Sequence, residues 1–228
     1  MVAIHHKSTA DFATAAIRQM IMTGELSPGM RVDQNEIAKQ LGVSRHPVRQ
    51  ALERLAERGF VHGRPHHSVT VAELSLKDME DLYVARRAIE EMAIRLSWPR
   101  YDTAFIESSD KRIEAMDRAI RIEDLDEYMV HNYEFHMGFY RPCENVHANR
   151  VIASMFQLSE RYQRTALMLD KRSSLSLGAR SERAQDEHRA MLAAVRSGDL
   201  ERLLSACVRH NRGTMDTVGS RLNDKAVG

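Results

Sequence analysis

Cysteine is nearly absent. Two residues, Cys143 and Cys207, in a chain of 228 give no disulfide framework, so packing must hold the fold. Long apolar runs are missing as well: no 18 consecutive apolar residues occur, which argues against a membrane helix. No apolar leader-like segment opens the chain, so a cytoplasmic protein with no membrane partner is expected. Aromatic residues make up only 6% and methionine numbers thirteen, a balance that suits helices. There is no short repeat and no low-complexity tract. Net charge is only +1, but it is unevenly divided. Residues 1–72 hold nine Lys/Arg against six Asp/Glu, and the remainder holds 24 against 26. A mildly basic first third fits contact with phosphate.

What is present is most informative at residues 42–52, Gly-Val-Ser-Arg-His-Pro-Val-Arg-Gln-Ala-Leu. Ser44 suits an N-cap, since its hydroxyl can accept from first-turn N–H groups. Pro47 fits in that first turn, where a missing N–H costs little. Val48, Ala51, Leu52 and Leu55 repeat at helical spacing and face a core. Arg45, His46 and Arg49 share the exposed start of the helix. Cations there oppose the helix dipole, a penalty that makes sense if that end meets phosphate and guanine edges. Upstream, Asp33 to Glu36 has capping-box spacing, and the helix it opens turns Ile37, Ala38 and Leu41 inward. Gly42 then supplies the left-handed exit. An earlier helix, about Thr9 to Thr23, presents Phe12, Ala16, Ile17, Met20 and Ile21 on one side. After the Ser44 helix, Phe60-Val61-His62 and Val69-Thr70-Val71 read as two short strands around a Gly63-Arg64-Pro65 turn. Three helices and a hairpin make a winged helix, with His66, His67 and Ser68 at the wing tip.

Residues 9–72 resemble the winged-helix domain of GntR-type bacterial transcription regulators. The matching residues are Gly24-Glu25-Leu26, Pro28-Gly29-Met30-Arg31, Glu36, Ala38, Leu41 to Arg45, Pro47-Val48-Arg49, Ala51-Leu52, Leu55 and Gly59. The resemblance implies contacts to double-stranded DNA by Arg31, Ser44, Arg45, Pro47 and Arg49, and by the wing at His67 and Ser68. His46 stands where Thr is usual, and Ser68 where the wing normally has Gly.

From Ser75 onward the pattern is helical throughout, so the expected fold is mainly α: a winged helix-turn-helix over residues 1–74, then an antiparallel helical bundle over 75–228. Six bundle helices are expected, roughly 75–97, 103–121, 125–140, 146–170, 176–197 and 199–221. Their breaks are Trp98-Pro99, Glu123-Asp124, Arg141-Pro142, the Ser173-Ser174 region and Gly198-Asp199. Asn132 and His136 are four apart and share a helix face. His188 and His210 fall mid-way along two later helices. Three imidazoles and an amide oxygen from three helices can converge on a metal inside a bundle. A buried histidine with one hydrogen-bond partner is the alternative reading of each. His5, His6, His131 and His147 read as surface or structural.

Residues 75–221 resemble the FCD domain of the FadR-type subfamily. The resemblance rests on Leu82 to Glu90, Asn132 to His136, Glu187 to Ala190 with Gly198-Asp199, and His210. A count of six helices resembles the VanR-like branch. In metal-binding members these positions hold a divalent ion, which implies Asn132, His136, His188 and His210 as ligands. Asn132 replaces the usual Asp, so the ion keeps its full charge and demands an anionic ligand. Imidazoles suit zinc, nickel, iron or cobalt over magnesium or calcium. Arg86 occupies a position that often faces the effector pocket, where it could pair with a carboxylate; an interhelical salt bridge to Glu or Asp is the equal alternative. Arg161 and Arg164 are further candidates, and Cys207 reads better as a core thiol than a ligand. The implied protein is a homodimeric, ligand-responsive regulator that reads a pseudo-palindromic operator, with a small carboxylate as effector and no catalytic activity. A metal-dependent hydrolase and an architectural DNA-binding dimer without effector are the rival readings.

Overall fold

The computed structural model describes residues 8–63, 68–171 and 177–226. It divides into two compact units, Met1–Leu74 and Ser75–Gly228.

The first unit contains α1 (Thr9–Thr23), α2 (Gln34–Leu41), α3 (Arg45–Glu57), β1 (Val61–His62) and β2 (Thr70–Val71). Its helices start where short polar side chains meet free N–H groups. Ser8 and Asp11 form a reciprocal capping box on α1, and the Asp33 carboxylate accepts from the Asn35 and Glu36 amides on α2. Ser44 departs from expectation. Its backbone is extended as at an N-cap, but its hydroxyl makes no cap hydrogen bond. Tertiary packing, not capping, therefore holds α3: Val48, Ala51, Leu52 and Leu55 are all fully buried. On α1, Ile17, Met20 and Ile21 face inward as expected and Ala16 is half-buried, but Phe12 does not face inward. Ala10, Ala13, Thr14, Ile17 and Ile21 are buried while Phe12 is 50% exposed; the small alanines let α1 sit close to α3, and the ring stays outside.

Strands β1 and β2 pair antiparallel, Val61 with Val71 and His62 with Thr70. Arg31 bridges to Thr70 through its backbone, so the loop before α2 is tied to the wing. Gly63 makes the hairpin possible. Its φ of +103° is open mainly to glycine, and a Cβ there would lie 2.1 Å from the Ser68 carbonyl oxygen.

The second unit contains α4 (Leu76–Ser97), α5 (Thr103–Arg121), α6 (Leu125–Tyr140), α7 (Val146–Lys171), α8 (Leu177–Arg196) and α9 (Leu200–Ala226). Six helices are thus present among the described residues. Pro99 and Pro142 each sit inside a 3-10 turn that ends α4 and α6, because proline cannot continue the i→i−4 ladder. Ser75, Asp102 and Asp124 cap α4, α5 and α6. The expected Ser173-Ser174 break lies outside the described residues. The next helix is anchored from elsewhere in the bundle: the Glu123 carboxylate accepts from the Leu177 amide at 2.9 and 3.1 Å. Glu123 itself holds φ 57°, uncommon for a residue with a side chain. Pinning the start of α8 in this way fixes the register that carries His188 into the core. The core runs through all six helices, with Ala93, Met116, Phe139, Ala194 and Leu203 fully buried and Ile152 of α7 nearly so. Among the described residues, no helix is long and apolar enough to cross a membrane.

Candidate metal centre and nucleic-acid interface

Four buried residues on three helices make the centre. Asn132 and His136 lie one turn apart on α6, His188 is mid-way along α8, and His210 is on α9; they are 5, 3, 0 and 7% exposed. Ligand atoms of the three histidines lie within 4.8 Å of one another. The His136 and His188 Nε2 atoms are 3.2 Å apart, and the His136 and His210 rings stack with centroids 5.0 Å apart. Phe135 and Phe156 wall the rings.

Their hydrogen bonds decide which nitrogen is free. The Gln185 amide nitrogen donates to Asp117 Oδ1 at 2.7 Å and to the Ile113 carbonyl. Its oxygen must therefore face His188 Nδ1, 2.9 Å away, so that Nδ1 carries the proton. Likewise, His210 Nδ1 donates to Glu187 Oε2 at 3.0 Å. Both rings are left with an Nε2 lone pair pointing away from its fixing partner. Burial, followed by the nearness of a second imidazole, depresses the basicity of His136 and His188 well below the ordinary histidine value. Neutral imidazoles with oriented lone pairs are what a transition metal requires. The donor set therefore fits a divalent ion, and the contact between two such nitrogens is favourable only with a proton or a cation between them.

Asn132 and His210 also line a cavity of about 650 Å³ including its mouth, together with Tyr128, Gln163, Ser181, Arg183 and Thr214. Arg86 and Arg161 are not among its described lining residues. Arg86 is buried and bonds Glu90 Oε1 through Nε (2.9 Å) and Nη2 (2.7 Å), and Ser159 through Nη1 (2.6 Å). Its guanidinium lies over the Tyr83 and Phe156 rings. The structure contains an ion pair, but within α4 and not between helices as expected; what crosses to another helix is the hydrogen bond to Ser159 on α7. Arg86→Ala should leave the Glu90 carboxylate buried without its cation and destabilise the bundle by about 3–5 kcal/mol; denaturant unfolding measures it. Arg161 lies close to Asp78 and Tyr162, and Arg164 pairs with Glu160 and Asp126. Cys207 stands outside the histidine cluster, its thiol pushed up by burial and by Glu90. His131 bonds Glu127 and Arg112 at the surface.

The sequence reading passes over the cation that does reach the cavity. Arg183 Nε donates to Glu187 Oε1 at 3.0 Å, and Glu187 also holds His210. A guanidinium, a carboxylate and an imidazole thus form one chain from the cavity to the histidine cluster. Gly213 makes room for it: a Cβ there would come within 2.7 Å of Arg183 Nη2. The Arg183–Glu187 spacing of four was the available signal.

In the first unit, Ser44, Arg45 and His46 are exposed at the start of α3 and Arg49 is half-buried. Arg49 Nη2 donates to His46 Nδ1 at 3.1 Å, so the residue at the usual Thr position holds the arginine beside it. Pro47 is buried and faces the core. Arg31 and Ser68 are exposed; His67 and His66 lie outside the described residues.

A three-helix head with a two-stranded wing, joined in one chain to an all-helical bundle, is the architecture of a DNA-binding transcription regulator. Residues 9–71 match the gntR family of bacterial regulatory proteins, and residues 81–213 match the FCD domain. The chain belongs to the FCD-containing, FadR-type regulators of the gntR family. It is 29% identical over 203 residues to a probable D-xylose utilization operon transcriptional repressor of Paenarthrobacter nicotinovorans, covering 88% of this chain and 82% of that one. It is 24% identical to the gluconate operon transcriptional repressor of Bacillus licheniformis, covering 87% and 80%. The match to the regulator YdhC of Bacillus subtilis, at 28% identity, spans only about half of each chain, 53% and 54%. The fold resembles Escherichia coli McbR/YncC with a TM-score of 0.79 over 97% of this chain and 100% of the other, at 19% identity. These relatives are transcription regulators, not enzymes.

Proposed function

We propose that the protein is a cytoplasmic, homodimeric regulator whose operator affinity is set by a small carboxylate bound at a metal centre in the bundle. The observation that carries this reading is the set of three buried imidazoles, two of them held as Nε2 lone pairs by Gln185 and Glu187, beside a cavity that mixes apolar walls with a few polar groups. His136, His188, His210 and Asn132 would hold the ion. Bound there, a divalent zinc, nickel, iron or cobalt supplies a fixed positive charge that attracts an anion. Four neutral ligands leave that charge uncompensated, which favours a carboxylate over a neutral sugar. Arg183, rather than Arg86 or Arg161, offers the second anchor, and Gln163, Ser181 and Thr214 offer hydrogen bonds to hydroxyl groups. The six-helix bundle supports a place in the VanR-like branch.

Two heads joined through the bundles would read a pseudo-palindrome, each placing α3 in the major groove. Arg45, His46 and Arg49 read base edges; Ser44, Arg31 and the wing at His67 and Ser68 meet the backbone or minor groove. Pro47 shapes the start of α3 from inside. Signalling from cavity to head has a candidate path on α7. Gln163 lines the cavity, and its neighbour Tyr162 donates to Asp78 Oδ2 at 2.5 Å. Asp78 lies in the first turn of α4, at the start of the second unit.

Calorimetric titration with a panel of small hydroxy- and dicarboxylates tests the proposal. Binding is expected with metal-loaded protein, is lost after chelation, and is weakened in Arg183→Gln. Equal binding by loaded and stripped protein would reject the metal-centred site. Tyr162→Phe is expected to retain metal and carboxylate affinity but to reduce a coupling of about 1–3 kcal/mol between effector and operator. An unchanged coupling removes Tyr162 from the path.

A further inference from the structure

Two of the three imidazoles are held through Nδ1, but by unlike groups. His210 donates to the Glu187 carboxylate, which borders the cavity and also pairs with Arg183. His188 donates to the neutral amide of Gln185, a buried residue one turn before it on α8. An ionised carboxylate can only accept, so Glu187 fixes its ring whatever else it touches. An amide has an oxygen at one end and an NH2 at the other. Turned by 180°, Gln185 would donate to His188 Nδ1. The ring proton would then sit on Nε2, and the lone pair that faces His136 Nε2 would be gone. The choice is made one step further out, by the groups that accept from Gln185 Nε2. Asp117 Oδ1 on α5 lies 2.7 Å away, a short bond to an ionised acceptor. The Ile113 carbonyl lies 3.4 Å away, beyond the usual range for N–H···O. Asp117 is itself held, because Arg189 Nη2 donates to Oδ1 at 3.0 Å and to Oδ2 at 2.8 Å. The Asp117 and Arg189 side chains are partly exposed, whereas His188 is fully buried. The chain of bonds therefore begins at the surface and ends on a core ring.

We propose that Asp117 is the positioning residue of His188: through Gln185 it holds the ring in its Nδ1–H form and keeps Nε2 free for a cation. The consequence for a cation rests on the metal-centre reading above, but the tautomer belongs to the metal-free protein and is read separately. With the amide reversed, Gln185 Oε1 would face the Asp117 carboxylate, two acceptors with no proton between them. That arrangement leaves buried polar atoms unsatisfied, so the carboxylate selects one orientation. No charge changes in the exchange, since the proton only moves from one nitrogen of a neutral ring to the other. Asp117 and Gln185 are not among the described residues that line the cavity. The two arms thus differ in exposure to a ligand. One at Arg183 reaches the partner of His210, while the partner of His188 is set from the opposite side, by α5.

Long-range proton–nitrogen correlation spectra of the full chain, labelled with nitrogen-15 at histidine and stripped of metal, report the tautomer; His188→Gln assigns the signals. Wild type should show a protonated Nδ1 and a bare Nε2 at His188. Asp117→Leu removes the acceptor and should move the proton to Nε2. It should also weaken cobalt(II) binding, followed by the ion's visible absorption, by about 10–100-fold, as for other partners that orient a ligating imidazole. Asp117→Ala serves at the same partly exposed position if the leucine variant does not fold. Asp117→Asn should match wild type, because Gln185 and Arg189 both donate to Oδ1 and draw the amide oxygen there. Arg189→Ala should also keep the Nδ1–H ring. Asp117→Leu/Gln185→Glu should return the proton to Nδ1, since a carboxylate needs no help to accept. An Nδ1–H ring in Asp117→Leu, or an Nε2–H ring in Asp117→Asn, overturns the proposal. So does an Arg189→Ala variant as impaired as Asp117→Leu, which would make the ion pair, not the acceptor, decisive. The expected tautomers in a wild type that takes no cobalt(II) would overturn the metal centre and uphold this inference.

Discussion

Replacing any one of His136, His188 or His210 with alanine is expected to bring metal content after dialysis from about one ion per protomer to near zero. Three imidazoles from three helices are the bulk of the donor set, and a site that loses one of three loses both a bond and the geometry imposed by the others. Asn132→Asp is expected to act in the opposite direction. It keeps the side-chain shape and places a negative charge against an otherwise uncompensated ion. Glu187→Gln should fall between these extremes: a fixing partner of a ligating histidine typically contributes 10–100-fold in affinity, as an order of magnitude, and Glu187 fixes His210 through Nδ1. Elemental analysis and competition with a chromophoric chelator give the numbers. Stoichiometric metal in all three alanine variants would contradict the centre as drawn.

The second large effect is on DNA. Arg45→Ala and Arg49→Ala are each expected to weaken specific operator binding by about 1–3 kcal/mol, the usual worth of a bidentate contact to a base edge. His46→Ala should cost less and act through its neighbour. In the free protein the imidazole accepts a hydrogen bond from Arg49, so its removal frees the guanidinium to sample other rotamers before binding. His46→Thr, which restores the residue usual in the family, separates loss of positioning from loss of a direct contact. Fluorescence anisotropy at fixed salt measures all four, because affinity for DNA has meaning only at a stated ionic strength. If both arginine variants bind like wild type, α3 is not the reading element.

Most of the fold is legible in the chain because its punctuation is chemically explicit. Asp33, Ser75 and Asp124 mark starts, Gly42 and Gly198 mark left-handed exits, and Pro99 and Pro142 mark breaks that no helix can cross. Legibility fails where two patterns compete. On α1, alanines and Phe12 allow two inward faces, and close approach to α3 selects the face with the small residues. At Ser44 the residue type suits a cap, but fully buried Val48, Ala51 and Leu52 already hold the helix.

The site divides in the same way. The histidines can be found from spacing, His136 one turn beyond Asn132 and His188 and His210 mid-way along two later helices, because helical register carries them to one depth of the bundle. The groups that orient them cannot be ranked that way. Gln185 is fixed by Asp117 and the Ile113 carbonyl, contacts 68 and 72 residues distant in the chain. Gly213 is a mid-helix glycine whose purpose appears only when Arg183 is seen folded over it. Arg86 shows the converse. Its residue type allowed a ligand anchor or an ion pair, and only the burial of Glu90 one turn away, with Ser159 on α7, shows where its guanidinium is engaged.

The central claim is that one chain couples a metal-held carboxylate to an operator. Reciprocal titration tests it most directly. The affinity of metal-loaded protein for a binding carboxylate is measured by calorimetry with and without saturating operator DNA, and operator affinity with and without that carboxylate. The account predicts that both ratios differ from one and equal each other, since coupling free energy is shared between the two sites. A carboxylate affinity that is the same with and without operator would contradict it.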